Sequence, residues 1–381
     1  MKTTFAATAA VIALLQAGAA QAQDTIRIGV TQPLTGAVAA SGTYITNGAR
    51  IAEAMINERG GVLGKSIELV IEDNKSNPKE AVTTAEKLIL RDKVPVLIGA
   101  WSSTFTLAIM PKLMEYKVPM VVETSSSGKI TTAGNPWVFR IAPTSAMEAK
   151  AFADKLDRFD PPITKVDFLS VNNDFGLGAT QAFRKELEAR GIKAGVVETM
   201  TPEATDLSAQ LTRIRQSGGD TVIVTSGVEQ ITLAVKQAAE QGLKARLLST
   251  GGSFPGELMQ PNAPGNGSYH LLFFPPWFPE NATHPDVAEA FVNAWKARGY
   301  EFAGLTEGFR GYDAVLTVAD AITRAGKAEP EAIRAALWET GVKGVNGDIA
   351  FVKEGPEGQE SGQNIPNVYV VHLKDGQVSM P

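Results

Sequence analysis

The stretch IELVIEDNKSNPKEAVTTAEKLILRDKVPVLI, residues 67–98, holds a strand, a helix and a second strand in succession. Residues 67–71 are apolar enough for a buried strand. Asn77-Pro78-Lys79-Glu80 then has the features of a helix start, with Asn as N-cap, Pro first and Glu third. The apolar residues that follow fall on one helical face: Ala81, Val82, Ala85, Leu88 and Ile89. Val96-Leu97-Ile98 is short and apolar, so the stretch predicts a βαβ unit with parallel strands.

The same alternation continues on both sides of this stretch. Before it, the strand 26–30 precedes a helix at 43–58, and after it comes the strand Met120-Val121-Val122. A second series begins after residue 143, with strands at 165–171, 196–198, 221–224 and 247–249 and helices at 177–190, 206–216 and 230–241. We therefore predict an α/β protein with two doubly wound lobes.

The last third of the chain is less regular. Pro275-Pro276-Trp277-Phe278-Pro279 breaks any regular element and predicts a crossover between the lobes. Helices are expected at 285–298, 306–325 and 330–339, and strands at 348–352 and 368–373. The loop between these strands, 354–363, is rich in Gly, Glu and Gln, so we expect it to be exposed to solvent.

Composition excludes several classes of protein. The chain has 381 residues, of which 44% are hydrophobic and 20% charged, which favours folded domains over a disordered chain. The formal net charge is −5, without the basic stripe that nucleic-acid binding requires. There is no cysteine, and the three histidines have no metal-ligand spacing. No histidine follows a strand as a base for a serine nucleophile, so we expect neither an enzyme nor a metal or cofactor.

Residues 1–22 have the pattern of an export signal. Lys2 is followed by an uncharged run with an apolar centre at 11–15, and Ala20-Gln21-Ala22 is a small-x-small cleavage site. The run is too short for a good membrane span, although an uncleaved anchor is the alternative. We expect cleavage near Ala22 and a periplasmic protein.

Two clusters of hydroxyl residues follow neighbouring strands of the first lobe. One is Trp101-Ser102-Ser103-Thr104, after the strand at 96–98, and the other is Thr124-Ser125-Ser126-Ser127, after the strand at 120–122. Ligands of open α/β sheets bind at the carboxyl ends of strands, near helix N-termini. Hydroxyls and backbone N–H groups there suit a carboxylate, although helix capping alone also accounts for such residues.

The loops of the second lobe supply small and aromatic residues. Phe175, Gly227, Gly251, Gly252 and Phe254 lie after its predicted strands. Aromatic residues in these loops, together with Trp101, predict contact with an apolar ligand body, and burial in the core is the alternative for each.

The mature chain resembles the periplasmic leucine/isoleucine/valine-type binding proteins of ABC importers. The resemblance covers nearly all of 24–376 and rests on five segments in order: Ile28–Gly36, Ile56–Gly64, Ile98–Ser103, Trp137–Arg140 and Gly311–Ala314. It implies two lobes joined by three crossovers, with a ligand cleft between them. It further implies that Ser103, aided by Ser102, holds a ligand carboxylate, that Thr124 and Ser126 hold the ligand backbone, and that Phe175 closes over it.

The sequence departs from this family pattern at two places. Phe175 stands where the amino-acid binders often have Tyr. Glycines 251 and 252 stand where an acid is expected to pair with a ligand ammonium, and Glu123, Glu229 or Glu307 are candidate substitutes. A branched-chain or other hydrophobic amino acid is the first expectation for the ligand, and an aromatic or other non-amino carboxylate is the alternative.

The resemblance also predicts the domain borders and partners. The first lobe is expected at 23–143 plus 276–345, and the second at 144–275 plus 346–381. The partners are a small carboxylate ligand and the permease subunits of an ABC importer, and the protein is expected to be a monomer that does not bind nucleic acid. A ligand-sensing domain that docks to a receptor is the remaining alternative, because it would use the same binding chemistry.

Overall fold

The structure is a computed structural model that describes residues 25–260 and 262–380. The export segment expected at 1–22 lies outside these residues. Within the described part of the chain, no helix is long and apolar enough to cross a membrane.

Strands and helices alternate through most of the described chain. The strands are β1 Ile26–Gln32, β2 Ile67–Asp73, β3 Leu97–Gly99, β4 Met120–Val122, β5 Val138–Arg140, β6 Lys165–Val171, β7 Lys193–Met200, β8 Thr221–Thr225, β9 Arg246–Thr250, β10 Tyr269–Leu272, β11 Val342–Gly344, β12 Gly347–Ile349, β13 Val352–Glu354, β14 Ser361–Gln363, β15 Tyr369–Lys374 and β16 Gln377–Ser379. The helices are α1 Ala39–Glu58, α2 Pro78–Glu86, α3 Ser103–Tyr116, α4 Lys129–Thr132, α5 Ser145–Ala153, α6 Asp174–Glu188, α7 Ser208–Ser217, α8 Val228–Glu240, α9 Pro285–Ala297, α10 Leu305–Ala325 and α11 Pro330–Leu337.

The quoted stretch 67–98 forms the predicted unit. The Asn77 side chain accepts hydrogen bonds from the N–H groups of Lys79 and Glu80, at 2.8 and 3.4 Å, and Pro78 opens α2. β2 and β3 each pair with β1 in parallel, on opposite sides. The sequence pattern therefore predicted both the helix start and the parallel sheet.

Each lobe contains a seven-stranded sheet in which parallel strands predominate. The strand orders are β13-β14-β5-β4-β3-β1-β2 and β16-β15-β10-β9-β8-β6-β7. In the first sheet the order reverses between β1 and β3, and in the second between β6 and β8. Such reversals open a crevice at the carboxyl ends of the strands, where ligands of open α/β sheets bind. The predicted fold class of two doubly wound lobes is confirmed.

The chain passes between the two sheets three times, after β5, β10 and β14. The second passage runs through the proline-rich segment 275–279, as expected. The third lies later than the border predicted after residue 345, because β13 and β14 extend the first sheet beside β5. Residues 352–363 therefore belong to the first lobe, which corrects the prediction that 346–381 lie in the second.

Hydrogen bonds of polar side chains explain why this segment packs in the first lobe. The segment 354–363 was expected to be exposed, yet Ser361 and Gln363 are fully buried. Gln363 Oε1 accepts a hydrogen bond from Arg140 Nε at 2.6 Å, and Ser361 Oγ donates to the Asn135 carbonyl at 2.8 Å. Polar residues are stable in a core when such partners are present, and composition alone does not reveal the partners.

Close packing against α1 fixes the position of the first turns of α10, which border the cleft. A Cβ atom on Gly48 would overlap the backbone of Gly308, and one on Gly311 would overlap the carbonyl of Ile45. Glycine at these positions lets the two helices meet at their backbones. α10 also contacts β3 and β4, and Glu307 in its first turn accepts a hydrogen bond from Trp101, which follows β3.

Candidate functional site

A cavity of about 270 Å³ lies between the carboxyl ends of the two sheets. Its wall includes most of the predicted ligand contacts: Trp101, Ser102, Ser103, Thr124, Ser125, Ser126, Phe175, Gly227 and Gly251. Residues from both lobes thus meet around one space, with the hydroxyl residues on the first lobe and Phe175 on the second.

The first hydroxyl cluster stands at the start of α3. Ser102 is the N-cap residue, and its N–H donates to the Ala100 carbonyl at 2.9 Å; Ser103 opens the helix, so its N–H has no acceptor within the helix. Both side chains are buried, and Ser103 Oγ accepts a hydrogen bond from the N–H of Ser127 at 3.1 Å. This leaves the Ser103 hydroxyl proton available to a ligand. Backbone donors, a hydroxyl and the positive end of a helix dipole together favour an anion.

Arg140 anchors the second hydroxyl cluster through hydrogen bonds. Nη1 of Arg140 donates to the carbonyls of Ser125 and Ser127, at 3.1 and 2.6 Å, and Nη2 donates to Thr131 Oγ1 at 2.8 Å. Thr124 Oγ1 is buried and has no partner in the described structure. Because Thr124 lines the cavity, its hydroxyl is a free polar group for a ligand.

Two glycines make room for the aromatic rings of the site. A Cβ atom on Gly251 would come within 2.8 Å of the Phe175 ring, and one on Gly227 within 3.2 Å of the Trp101 ring. The indole nitrogen of Trp101 donates to Glu307 Oε2 at 3.2 Å, which fixes the orientation of the ring. The glycines therefore have a steric role on the cavity wall.

The structure places two of the predicted residues behind the wall. Phe254 is 1% exposed and packs edge-on against His270 and Trp277, with ring centroids 4.6 and 4.8 Å apart. A side chain on Gly252 would collide with Arg310 and Phe273. Phe254 is thus a core residue, and Gly252 leaves space for a neighbouring arginine.

Arg310 is the most consequential wall residue that the sequence did not indicate. It lies in α10, is 1% exposed and borders the cavity. Its Nη2 donates to the carbonyl of Gly251 at 2.9 Å, and its guanidinium lies 4.9 Å from the centre of the Phe273 ring. The resemblance segment Gly311–Ala314 begins one residue later, but an arginine in a helical pattern predicts a solvent-exposed side chain. Other wall residues missed from sequence include Asn77, Asn173, Ser226, Gln230 and Ser253.

Several buried carboxyl groups surround this arginine. Burial raises the pKa of Glu123, and it raises the pKa of Glu148 to about 7. Glu123 Oε1 accepts from Gln32 and from the N–H of Trp101, and Glu148 Oε2 accepts from the N–H of Gly251 at 2.9 Å. Burial lowers the pKa of Arg310, whereas the carboxyl groups of Glu307, Glu148 and Glu123 raise it.

None of the three candidate partners for a ligand ammonium is on the wall. Glu123 lies behind it, Glu307 is bonded to Ser41 and Trp101, and Glu229 accepts from the N–H of Ala40 at 3.4 Å. Burial raises the pKa of Glu229 to about 7. Among the described wall residues, the single acid is the exposed Glu203 and the single base is Arg310.

Comparison with known proteins assigns the family. Residues 25–377 match the family model described as periplasmic binding protein. The leucine-, isoleucine-, valine-, threonine- and alanine-binding protein of Pseudomonas aeruginosa is 28% identical, over 88% of this chain and 87% of its own. A crystal structure of a leucine-binding protein from Thermotoga maritima superposes with a TM-score of 0.81 at 28% identity, covering 93% and 97% of the two chains.

A further structure has a similar fold. It is the solute-binding protein of an ABC transporter from Rhodopseudomonas palustris, in complex with 3,4-dihydroxybenzoic acid, with a TM-score of 0.78 at 24% identity, over 93% of this chain and 95% of its own. The chain belongs to the periplasmic binding protein family and is an extracytoplasmic binding protein rather than an enzyme.

Proposed function

We propose that this protein binds a small carboxylate with an apolar body and delivers it to the permease subunits of an ABC importer. A branched-chain or other hydrophobic amino acid is the first candidate. The observation that carries the proposal is the cavity between the lobes, which has buried hydroxyls at the start of α3 and aromatic rings from both lobes. The named ligands of the Pseudomonas and Thermotoga relatives support the same class.

Binding would act through closure of the lobes. Contacts across the cleft include Thr104 Oγ1 to Asp174 Oδ2 at 3.0 Å, Lys129 Nζ to Asp174 Oδ1 at 3.5 Å, the N–H of Ala40 to Glu229 Oε1 at 3.4 Å, and Arg310 to Gly251. These contacts are lost if the lobes separate. A ligand that touches both walls stabilises the closed arrangement in proportion to its preference for it. The permease then recognises the closed form.

Export and assembly state complete the proposal. Residues 1–22 are removed after Ala22 and the mature protein works in the periplasm as a monomer. The first lobe is taken as 23–143 and 276–363 and the second as 144–275 and 364–381, in keeping with the strand pairing of β13 and β14.

An aromatic or other non-amino carboxylate is the second candidate ligand. Among the residues that the structure describes, the cavity wall has one acid, the exposed Glu203, and one buried base, Arg310. An ammonium group in such a cavity finds no buried carboxylate on the wall, whereas a ligand without an amino group needs none.

A thermal-shift screen of refolded, ligand-stripped mature protein tests both candidates. The panel contains leucine, isoleucine, valine, phenylalanine, benzoate, hydroxycinnamates, short branched acids and amides. A ligand at 100 times its Kd adds about 2.7 kcal/mol to the free energy of unfolding. A rise in melting temperature with leucine-like compounds supports the first candidate, and a rise only with compounds that lack an amino group supports the second. No shift with any carboxylate contradicts the proposed function.

A further inference from the structure

Arg310 is a buried cation with unused hydrogen-bond donors. Its side chain is 1% exposed, and its one hydrogen bond to a described residue runs from Nη2 to the Gly251 carbonyl. Nε and Nη1 are buried and have no partner within residues 25–260 and 262–380. Buried guanidinium N–H groups are costly to leave unpaired, because they have lost water and gained no acceptor in exchange. Arg310 lines the cavity and also a small adjoining pocket beside Glu123, so a ligand that reaches this part of the cavity wall lies next to the guanidinium.

Nearby carboxyl groups partly offset the burial of the Arg310 charge, whereas two of its N–H donors have no acceptor among the described residues. The carboxyl groups of Glu307, Glu148 and Glu123 all act on it electrostatically. Glu123 Oε2 and Glu148 Oε1 are themselves unpaired, so neither oxygen receives the free N–H groups. Nε and Nη1 of Arg310 therefore lack an oxygen acceptor in the described structure. A further negative charge at this place would be repelled by the three carboxyl groups nearby.

We infer that Arg310 is a specificity-determining residue whose Nε and Nη1 donate hydrogen bonds to a neutral oxygen of the ligand, a carbonyl or a hydroxyl. This inference rests on the proposed function, in which the ligand carboxylate lies at the hydroxyl clusters. The ligand class is then a small carboxylate with an apolar body and a second, uncharged oxygen acceptor. Gly252 has no side chain because the guanidinium occupies that space.

The test compares ligands that differ by one oxygen. The pairs are 4-methylpentanoate with 4-methyl-2-oxopentanoate, 3-phenylpropanoate with its 4-hydroxyphenyl analogue, and phenylalanine with tyrosine, each titrated calorimetrically into ligand-free protein. A hydrogen bond from a charged donor gives about tenfold to a hundredfold in affinity. We expect the wild-type protein to prefer the oxygen-bearing partner by that factor in at least one pair.

Variants then assign the preference to Arg310. Arg310→Gln should reduce it to about threefold or less, and Arg310→Lys, which keeps the charge, should reduce it in part. Arg184→Gln, which removes an arginine from the exposed face of α6, should keep the full preference. Circular dichroism of each variant verifies folding, and the wild-type pairs remain informative if Arg310→Gln does not fold.

Distinct outcomes separate this inference from the function itself. Equal affinities within all three pairs, or a preference that survives in Arg310→Gln, overturn the role of Arg310 while leaving carboxylate binding intact. Failure of these compounds and of every compound in the screening panel to bind the wild-type protein overturns the proposed function, and the inference with it.

Discussion

Arg140 and Arg310 are both fully buried arginines of the first lobe, yet they differ in how many of their N–H groups donate hydrogen bonds. Arg140 donates through Nε, Nη1 and Nη2 to Gln363, to the carbonyls of Ser125 and Ser127, and to Thr131. Arg310 donates once, to Gly251, and leaves Nε and Nη1 unpaired.

This difference distinguishes Arg140, which has a structural role, from Arg310, which has donors available for a ligand. The acceptors of Arg140 come from β14, α4 and the second hydroxyl cluster, so its role is complete within the protein. Arg310, in contrast, borders the cavity and has two donors without an acceptor in the described part of the chain. Burial alone therefore does not tell the two roles apart, whereas a count of satisfied donors does.

The largest effect is expected for Arg140→Met. This change leaves the carbonyls of Ser125 and Ser127 and the amide of Gln363 without their donor, so the free energy of unfolding should fall by about 3 to 5 kcal/mol. Urea denaturation of ligand-free protein measures it. A loss below about 1 kcal/mol would show that Arg140 does not anchor the second cluster.

Glu148 tests the charge environment of Arg310. Its pKa in the folded protein is raised to about 7 by burial, above the unfolded value near 4.5. A carboxyl with a raised pKa holds its proton in the folded state, so its stabilisation is complete below about pH 4.5 and is lost as pH rises to about 7.

Glu148→Gln should therefore gain stability relative to wild type over this interval, by about 2 to 3 kcal/mol. Urea denaturation of both proteins at pH 4.5, 6 and 7.5 measures the change, and the remaining titrating groups cancel in the difference. A constant difference between the two proteins across these pH values would contradict the buried, raised-pKa state of Glu148.

Ser103→Ala tests the anion end of the cavity. Loss of the hydroxyl removes a donor to the ligand carboxylate and should weaken binding by about 1 to 3 kcal/mol, with little change between oxygen-bearing and plain ligands. Calorimetric titration checks this, with Ser208→Ala on the exposed start of α7 as the matched control. Unchanged affinity in Ser103→Ala would remove this residue from the site.

Phe175→Ala should give the smallest difference. The ring covers apolar surface, so its loss should weaken bulky apolar ligands by about 1 kcal/mol more than small polar ones. Titration with a large and a small ligand of the same charge measures the difference. Equal losses for both would assign Phe175 a role in the fold.

Local patterns explain how much of this protein could be predicted from sequence. Asn77-Pro78 marks a helix start by itself, and the serine clusters follow their strands directly, so the fold and most of the cavity wall were accessible. Arg310 was not, because its burial depends on contacts with Gly251 and Phe273, which are distant in sequence. The strand 361–363 was missed for a similar reason: its polar side chains pair with Arg140 and Asn135, far away in sequence.

A crystal structure of the protein with the tightest-binding compound of the screen tests the central comparison most directly. The account predicts a ligand oxygen between about 2.7 and 3.2 Å from Nε or Nη1 of Arg310, the ligand carboxylate at Ser103, and the four acceptors of Arg140 unchanged. A ligand that leaves Arg310 bonded only to Glu123, Glu148 or water, with no ligand oxygen in reach, would contradict it.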